Sequence, residues 1–99
     1  MSYQKRDEGK LDWSILPWDQ LEAVVRVFEF SARKYGRESF KESGDEAPTL
    51  IYRCIWAALF RHSVAALKTP TSVDEESGEL HLAHACACVL MLIFWADLA

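Results

Sequence analysis

Two histidines three residues apart open the most apolar stretch of this chain. The segment reads Asp74-Glu75-Glu76-Ser77-Gly78-Glu79-Leu80-His81-Leu82-Ala83-His84-Ala85-Cys86-Ala87-Cys88 and continues from Val89 to Ala96 without a charged residue. Residues three apart are surface neighbours on a 3.6-residue period, so a helix here sets His81 and His84 on one face. Imidazoles among Leu, Ala, Cys and Val need polar partners, which makes this face the leading candidate for a site. Ala85 to Ala96 covers only twelve residues. A membrane span needs roughly 20 apolar residues, so the segment reads as a core helix and no membrane partner is expected.

The rest of the chain is organised around similar helical patterns. Met1 to Lys10 is charged and reads as part of a flexible arm over residues 1–13, ahead of a single domain over 14–99. Pro17 suits a first helical turn, and Asp19 and Glu22 favour its positive end. The first helix is predicted from about Pro17 to Tyr35, stopping at Gly36. Its stripe Leu21, Val24, Val25, Phe28, Ala32 and Tyr35 is backed by a second apolar strip of Ala23, Val27 and Phe30. Glu22/Arg26 and Glu29/Arg33 stand at i,i+4 on the polar side. The second helix is predicted from Pro48 to about Lys68 and is apolar nearly all round, which predicts a central position. The third is predicted from Glu79 or Leu80 to Asp97. No β-like alternation and no internal repeat is present. The fold class is therefore all-α, a small bundle of three main helices. Two of these helices are too apolar for a solvated monomer, so completion by homo-oligomerisation is expected.

Composition narrows the function classes. At 99 residues with 51% hydrophobic content the chain makes one small cored domain. A net charge of −4 argues against a nucleic acid polymer as partner, which needs a basic face. The three cysteines Cys54, Cys86 and Cys88 form an odd count. With no apolar targeting core in Met1 to Lys10, they point to a reducing intracellular setting.

Three constellations carry chemistry. His81, His84 and Cys88, with His62 or Cys54, offer imidazole and thiolate for zinc. The spacing lacks a CxxC-type signature, which favours plain hydrogen bonding without metal. The acidic turn Asp74-Glu75-Glu76 offers oxygen ligands to magnesium or a charge complement to the third helix. The cationic set is Lys34, Arg37, Arg53 and Arg61, with Tyr35 and Phe40 near in sequence. Arginine grips phosphate in a bidentate way and aromatic rings stack on bases. Arg53 and Arg61 flank Ala57 on an otherwise apolar helix, a shallow cationic slot. No Gly-rich phosphate loop is present, and no Ser-His-Asp set can be assembled.

Four blocks, Trp13-Ser-Ile-Leu-Pro-Trp18, Val27-Phe-Glu-Phe-Ser-Ala-Arg-Lys-Tyr-Gly-Arg37, Leu59-Phe-Arg-His62 and Asp74 to Ala85, carry a resemblance in order and spacing over about residues 10 to 95. Together they resemble the phage-associated family of dATP/dGTP diphosphohydrolase N-terminal domains. The resemblance implies a phage or prophage origin, hence the cytoplasm of an infected bacterial host, and a purine nucleotide ligand. It implies that Glu29, Lys34, Tyr35, Arg37, Arg61, His62, Glu75, His81 and His84 line the site.

Enzymes of this kind clamp magnesium with several carboxylates on facing helices. The second helix has no acid after its start, so a dinuclear clamp is hard to build here. The expectation is a nucleotide-binding protein that needs no cofactor. Lys34, Arg37, Arg53 and Arg61 would hold phosphate, Tyr35 and Phe40 would stack on the base, and His62, His81 and His84 would donate hydrogen bonds. Capture of a purine or cyclic nucleotide as a sponge for a host immune signal fits that chemistry. The competing expectation is an Mg2+-dependent dATP/dGTP pyrophosphohydrolase using Glu29, Glu75, Glu76 and the histidines.

Overall fold

The computed structural model describes residues 9–98, so residues 1–8 of the expected arm lie outside the described residues. Pro17 caps the first helix, α1 (Trp18–Tyr35), with Asp19 in the first turn and Arg33 and Lys34 in the last, each sign placed to complement the helix dipole. Gly36 ends it at φ 106, a value that a side chain resists, and its N–H closes on Ala32 O at 2.9 Å. Pro48 opens α2 (Pro48–Lys68) at the one position where its missing N–H costs nothing. The last helix, α3 (His81–Trp95), is shorter at both ends than the sequence pattern implies. Leu80 is held extended by an isolated antiparallel bridge to Val73, and the first-turn N–H of His81 closes on Ser72 O at 3.0 Å. The helix therefore cannot begin at Glu79. Two 3-10 turns, Trp13–Ile15 and Ser39–Lys41, complete the element order, and the described residues contain three α-helices and no strand.

The centre of the molecule is α3, not α2 as the apolar pattern suggests. Both α1 and α2 pack on α3, and no α1–α2 packing occurs among the described residues. Packing volume explains the difference. Ala83 and Ala87, four apart, form a flat strip on α3 that lets Val24 and Val27 of α1 close on it, with Ala23, Phe28 and Met91 around them. The opposite character belongs to α2, where Tyr52 meets Trp56 edge-on at 6.4 Å and Trp56 meets Phe60 in a tilted contact at 5.5 Å between ring centroids along one face. Ala66 is the single buried residue of that helix, and Phe60 stays 60% exposed. By length and composition α2 is also long and apolar enough to cross a membrane, although Arg53, Arg61 and His62 interrupt it.

The C-terminal half of α3 is anchored by Trp95, 3% exposed. Phe28, Phe40 and Phe94 meet edge-on beside it, with centroids 5.4 and 5.8 Å apart. Phe40 thereby ties its 3-10 turn to α1 and α3. The Cα radius of gyration, 16.3 Å, exceeds the roughly 13 Å expected of a compact domain near this length.

Candidate functional site

The loop between α2 and α3 assembles the site. Asp74 starts a tight turn in which its Oδ2 accepts the Ser77 N–H at 2.9 Å and its carbonyl accepts the Gly78 N–H at 2.7 Å. Gly78 supplies the positive φ, 74°, that brings the chain back. Two ion pairs between residues distant in sequence fix this turn against α1. Arg26 Nε donates to both Glu79 oxygens at 3.0 and 3.1 Å, and Lys34 pairs with Glu76. Arg26 thus turns away from Glu22, its i,i+4 neighbour, because Glu79 is offered from the loop with a shielded carboxylate. The Lys34 ammonium is held above the ordinary lysine range by its hydrogen bond to Glu76, and it also lies 5.1 Å from the Tyr35 ring centroid.

Under this turn three imidazoles meet. His62 comes from α2, and His81 and His84 come from the first turn of α3. The His62 and His84 rings stack at 4.6 Å between centroids and 15° between planes. His62 Nδ1 and His81 Nδ1 face each other at 2.8 Å. A neutral imidazole carries one donor and one acceptor, so this pair shares a single proton along that line. Burial, reinforced by the neighbouring imidazoles, pushes His62 below the usual histidine range. Burial does the same to His84, against the pull of Asp74. Burial raises Asp74, but hydrogen bonds from Ser77 and the adjacent histidines outweigh it and leave this carboxyl below its ordinary value.

Ser77 and Asp74 both approach the same nitrogen of His84. Ser77 Oγ lies 2.6 Å and Asp74 Oδ2 3.8 Å from His84 Nε2. A nucleophilic triad requires the carboxylate on the other ring nitrogen, where it orients the base, so this trio does not activate Ser77. Ser77 Oγ accepts the Glu79 N–H at 3.2 Å, which keeps it a turn-forming group. Ser77 is not among the residues expected from sequence to contact a ligand, and Asp74 is expected only as part of the acidic turn offered to magnesium. An Asp followed three residues later by Ser and then Gly is an Asx-turn pattern, and that signal was available.

Apart from Arg61, whose charge reaches His62, the remaining candidates do not join the histidines. Arg37 and Phe40 line a cleft of about 250 Å³ on the far end of α1, together with Glu29, Phe28 and Gly36. The Phe40 ring is engaged there by Phe28 and Phe94. Arg61 lies with Phe60, Val64 and Lys68 in an open groove on α2, and Arg53 is exposed two turns earlier. Cys88, expected on the histidine stripe, is buried, and burial pushes its thiol up against the opposing effect of Arg61. Cys54 is exposed.

Magnesium takes oxygen ligands. Glu76 is engaged by Lys34, Glu29 lines the Arg37 cleft and Glu75 is exposed in the loop. These three carboxylates do not gather, so they do not fit a carboxylate-held magnesium. The described group with ligating atoms all within 4.8 Å of one another is instead His62, Asp74 and His81.

A family model described as dATP/dGTP diphosphohydrolase, N-terminal, matches residues 2–98. The chain belongs to the dATP/dGTP diphosphohydrolase N-terminal family. A protein of Salmonella phage PMBT28 described as a dATP/dGTP diphosphohydrolase is 36% identical over 91 residues, which cover 92% of this chain and 28% of that relative. The chain therefore spans under a third of the relative's length. No solved structure matches. Within this dATP/dGTP diphosphohydrolase N-terminal domain, the Lys34-Tyr35-Gly36-Arg37 block ends α1, and the Asp74 to Ala85 block supplies both the turn and two of the three histidines.

Proposed function

We propose that this domain binds a purine nucleotide through its phosphates at the histidine cluster. The observation that carries the reading is the gathering of His62, His81 and His84 from two helices into one half-buried group. Arg61 adjoins that group along α2, and Lys34 is clasped to the same loop. Imidazole and guanidinium donors suit phosphate oxygens, and partial burial strengthens each bond. Arg37 and the aromatic edge at Tyr35 stand at the end of α1 and would serve a base or a second phosphate. The exposed aromatic face of α2 supports association of two or more copies, each completing the other's apolar surface.

A second reading is favoured by the phage relative, which is described as a dATP/dGTP diphosphohydrolase. In it the domain takes part in cleaving dATP or dGTP to the monophosphate and pyrophosphate. The dispersal of Glu29, Glu75 and Glu76 weighs against that chemistry being completed within these residues. Capture of a cyclic nucleotide, and with it sequestration of an immune signal, is the narrower form of the binding reading.

Calorimetric titration with dATP, dGTP and cyclic purine nucleotides, followed by chromatography of the recovered nucleotide, tests all three. Saturable binding of intact dATP or dGTP is expected, weakened by His84→Ala. Preference for a cyclic nucleotide would support the sequestering form. Recovery of monophosphate and pyrophosphate would replace the binding reading with the hydrolytic one, and no binding to any member of the panel would end it.

A further inference from the structure

We propose that His62, His81 and Asp74 form a binding site for a divalent transition cation of the zinc type, independent of whether a nucleotide is bound. The three residues come from three separate parts of the fold, and their ligating atoms already lie within 4.8 Å of one another. Two imidazole nitrogens and one carboxylate oxygen are the ligand set of open zinc sites, and zinc accepts that mixture without a geometric demand of its own. Magnesium and calcium prefer all-oxygen shells, so the two histidines select against them.

The local geometry points the same way. His62 Nδ1 and His81 Nδ1 are directed at each other at 2.8 Å. Two nitrogens on a tetrahedral zinc stand about 3.3 Å apart, given Zn–N bonds near 2.0–2.1 Å. Accepting the ion therefore asks these rings to separate by about half an ångström, a rotamer-scale adjustment, while the carboxylate closes in. Asp74 is oriented for this by the Ser77 N–H on its Oδ2 at 2.9 Å, the kind of outer contact that commonly positions a metal-binding carboxylate. His84 stacks on His62 and supports that ring, while its own Nε2 is engaged with Ser77 Oγ. Three protein ligands leave a fourth position for water or a phosphate oxygen.

The test uses the tag-free full chain, stripped with chelator and titrated with Co2+ and then Zn2+ without nucleotide. One equivalent of Co2+ per chain is expected, with the intense visible absorption of a tetrahedral site, displaced by one equivalent of Zn2+. His81→Gln and Asp74→Asn should each weaken cation binding at least 10-fold at unchanged helical circular dichroism, while His84→Ala should weaken it less. Should a variant lose its helicity, nitrogen NMR of the zinc-loaded unsubstituted protein decides, because the proposal requires ligation through Nδ1 of both His62 and His81. Failure to bind a stoichiometric ion, ligation through other nitrogens, or full binding in both His81→Gln and Asp74→Asn would each overturn it.

Discussion

The indole N–H of Trp95 donates to the backbone carbonyl of Phe40 at 2.7 Å, which joins the end of α3 to the 3-10 turn after α1. Both sides of that contact are shielded, so the bond competes little with water. Removing the donor while keeping a ring, as in Trp95→Phe, leaves a shielded carbonyl unpaired and should cost about 1–3 kcal/mol. Trp95→Ala also opens a cavity at a site only 3% exposed and should cost about 3–5 kcal/mol. Urea unfolding followed by circular dichroism measures both. Equal midpoints for Trp95→Phe and the unsubstituted protein would mean that the bond contributes nothing.

Arg26 and Glu79 should act as a pair that holds the site loop. The Glu79 side chain is 19% exposed and the Arg26 side chain 51%, so solvent screens the pair from one side only. A double-mutant cycle of Arg26→Ala and Glu79→Gln should give a coupling of about 0.2–1 kcal/mol, the range of partly exposed ion pairs. Amide exchange should quicken across residues 72–80 in either single variant. Exchange unchanged there would show that the Val73–Leu80 bridge and the Lys34–Glu76 pair hold the loop without Arg26 and Glu79.

The three thiols should separate kinetically. Cys54 and Cys86 are exposed, whereas Cys88 is buried and its thiol is pushed up by that burial. Only the thiolate reacts with iodoacetamide. A raised value means less thiolate at a given pH, so Cys88 is slow at pH 8 and gains rate as pH rises past the ordinary thiol range. Mass spectrometry should show two additions well before a third. Three additions at one rate would place Cys88 on the surface.

Much of the helical layout was legible because its signals are local. Gly36 and Pro48 mark helix ends by backbone chemistry alone, but the buried face of α1 departs from its expected stripe: Val24 is buried with Val27 of the second strip, while Val25 and Tyr35 stay exposed. The α3 start was not legible, because it is set by the Val73–Leu80 bridge, a contact between loop ends. Which helix is central was not legible for a related reason. Apolarity measures the wish to be buried, whereas Ala83 and Ala87 decide which helix its neighbours can approach closely. The His81/His84 spacing showed one half of the cluster. The arrival of His62 depends on how α2 crosses α3, and the acidic turn was legible as a turn without showing which of its carboxylates meets the imidazoles.

The aromatic face of α2 yields the last expectation. Tyr52, Trp56 and Phe60 recur every four residues and form one continuous strip. Farther along, Val64 is 49% and Leu67 83% exposed. Packing of α3 on α2 leaves Trp56 37% and Phe60 60% exposed, and α1 does not reach α2. Exposed apolar area of this kind stabilises association at roughly 25 cal/mol per Å² removed from water, before the cost of docking. A second copy would present the same strip, so a two-fold contact of α2 on α2 pairs like with like. Light scattering coupled to size-exclusion chromatography should return a mass above 11.3 kDa for the unsubstituted chain. Phe60→Glu combined with Leu67→Glu should return the single-chain mass at retained helicity, because each carboxylate would lose its water at the contact. A single-chain mass for the unsubstituted protein across a wide concentration range would show that α2 stays solvated or meets a different partner.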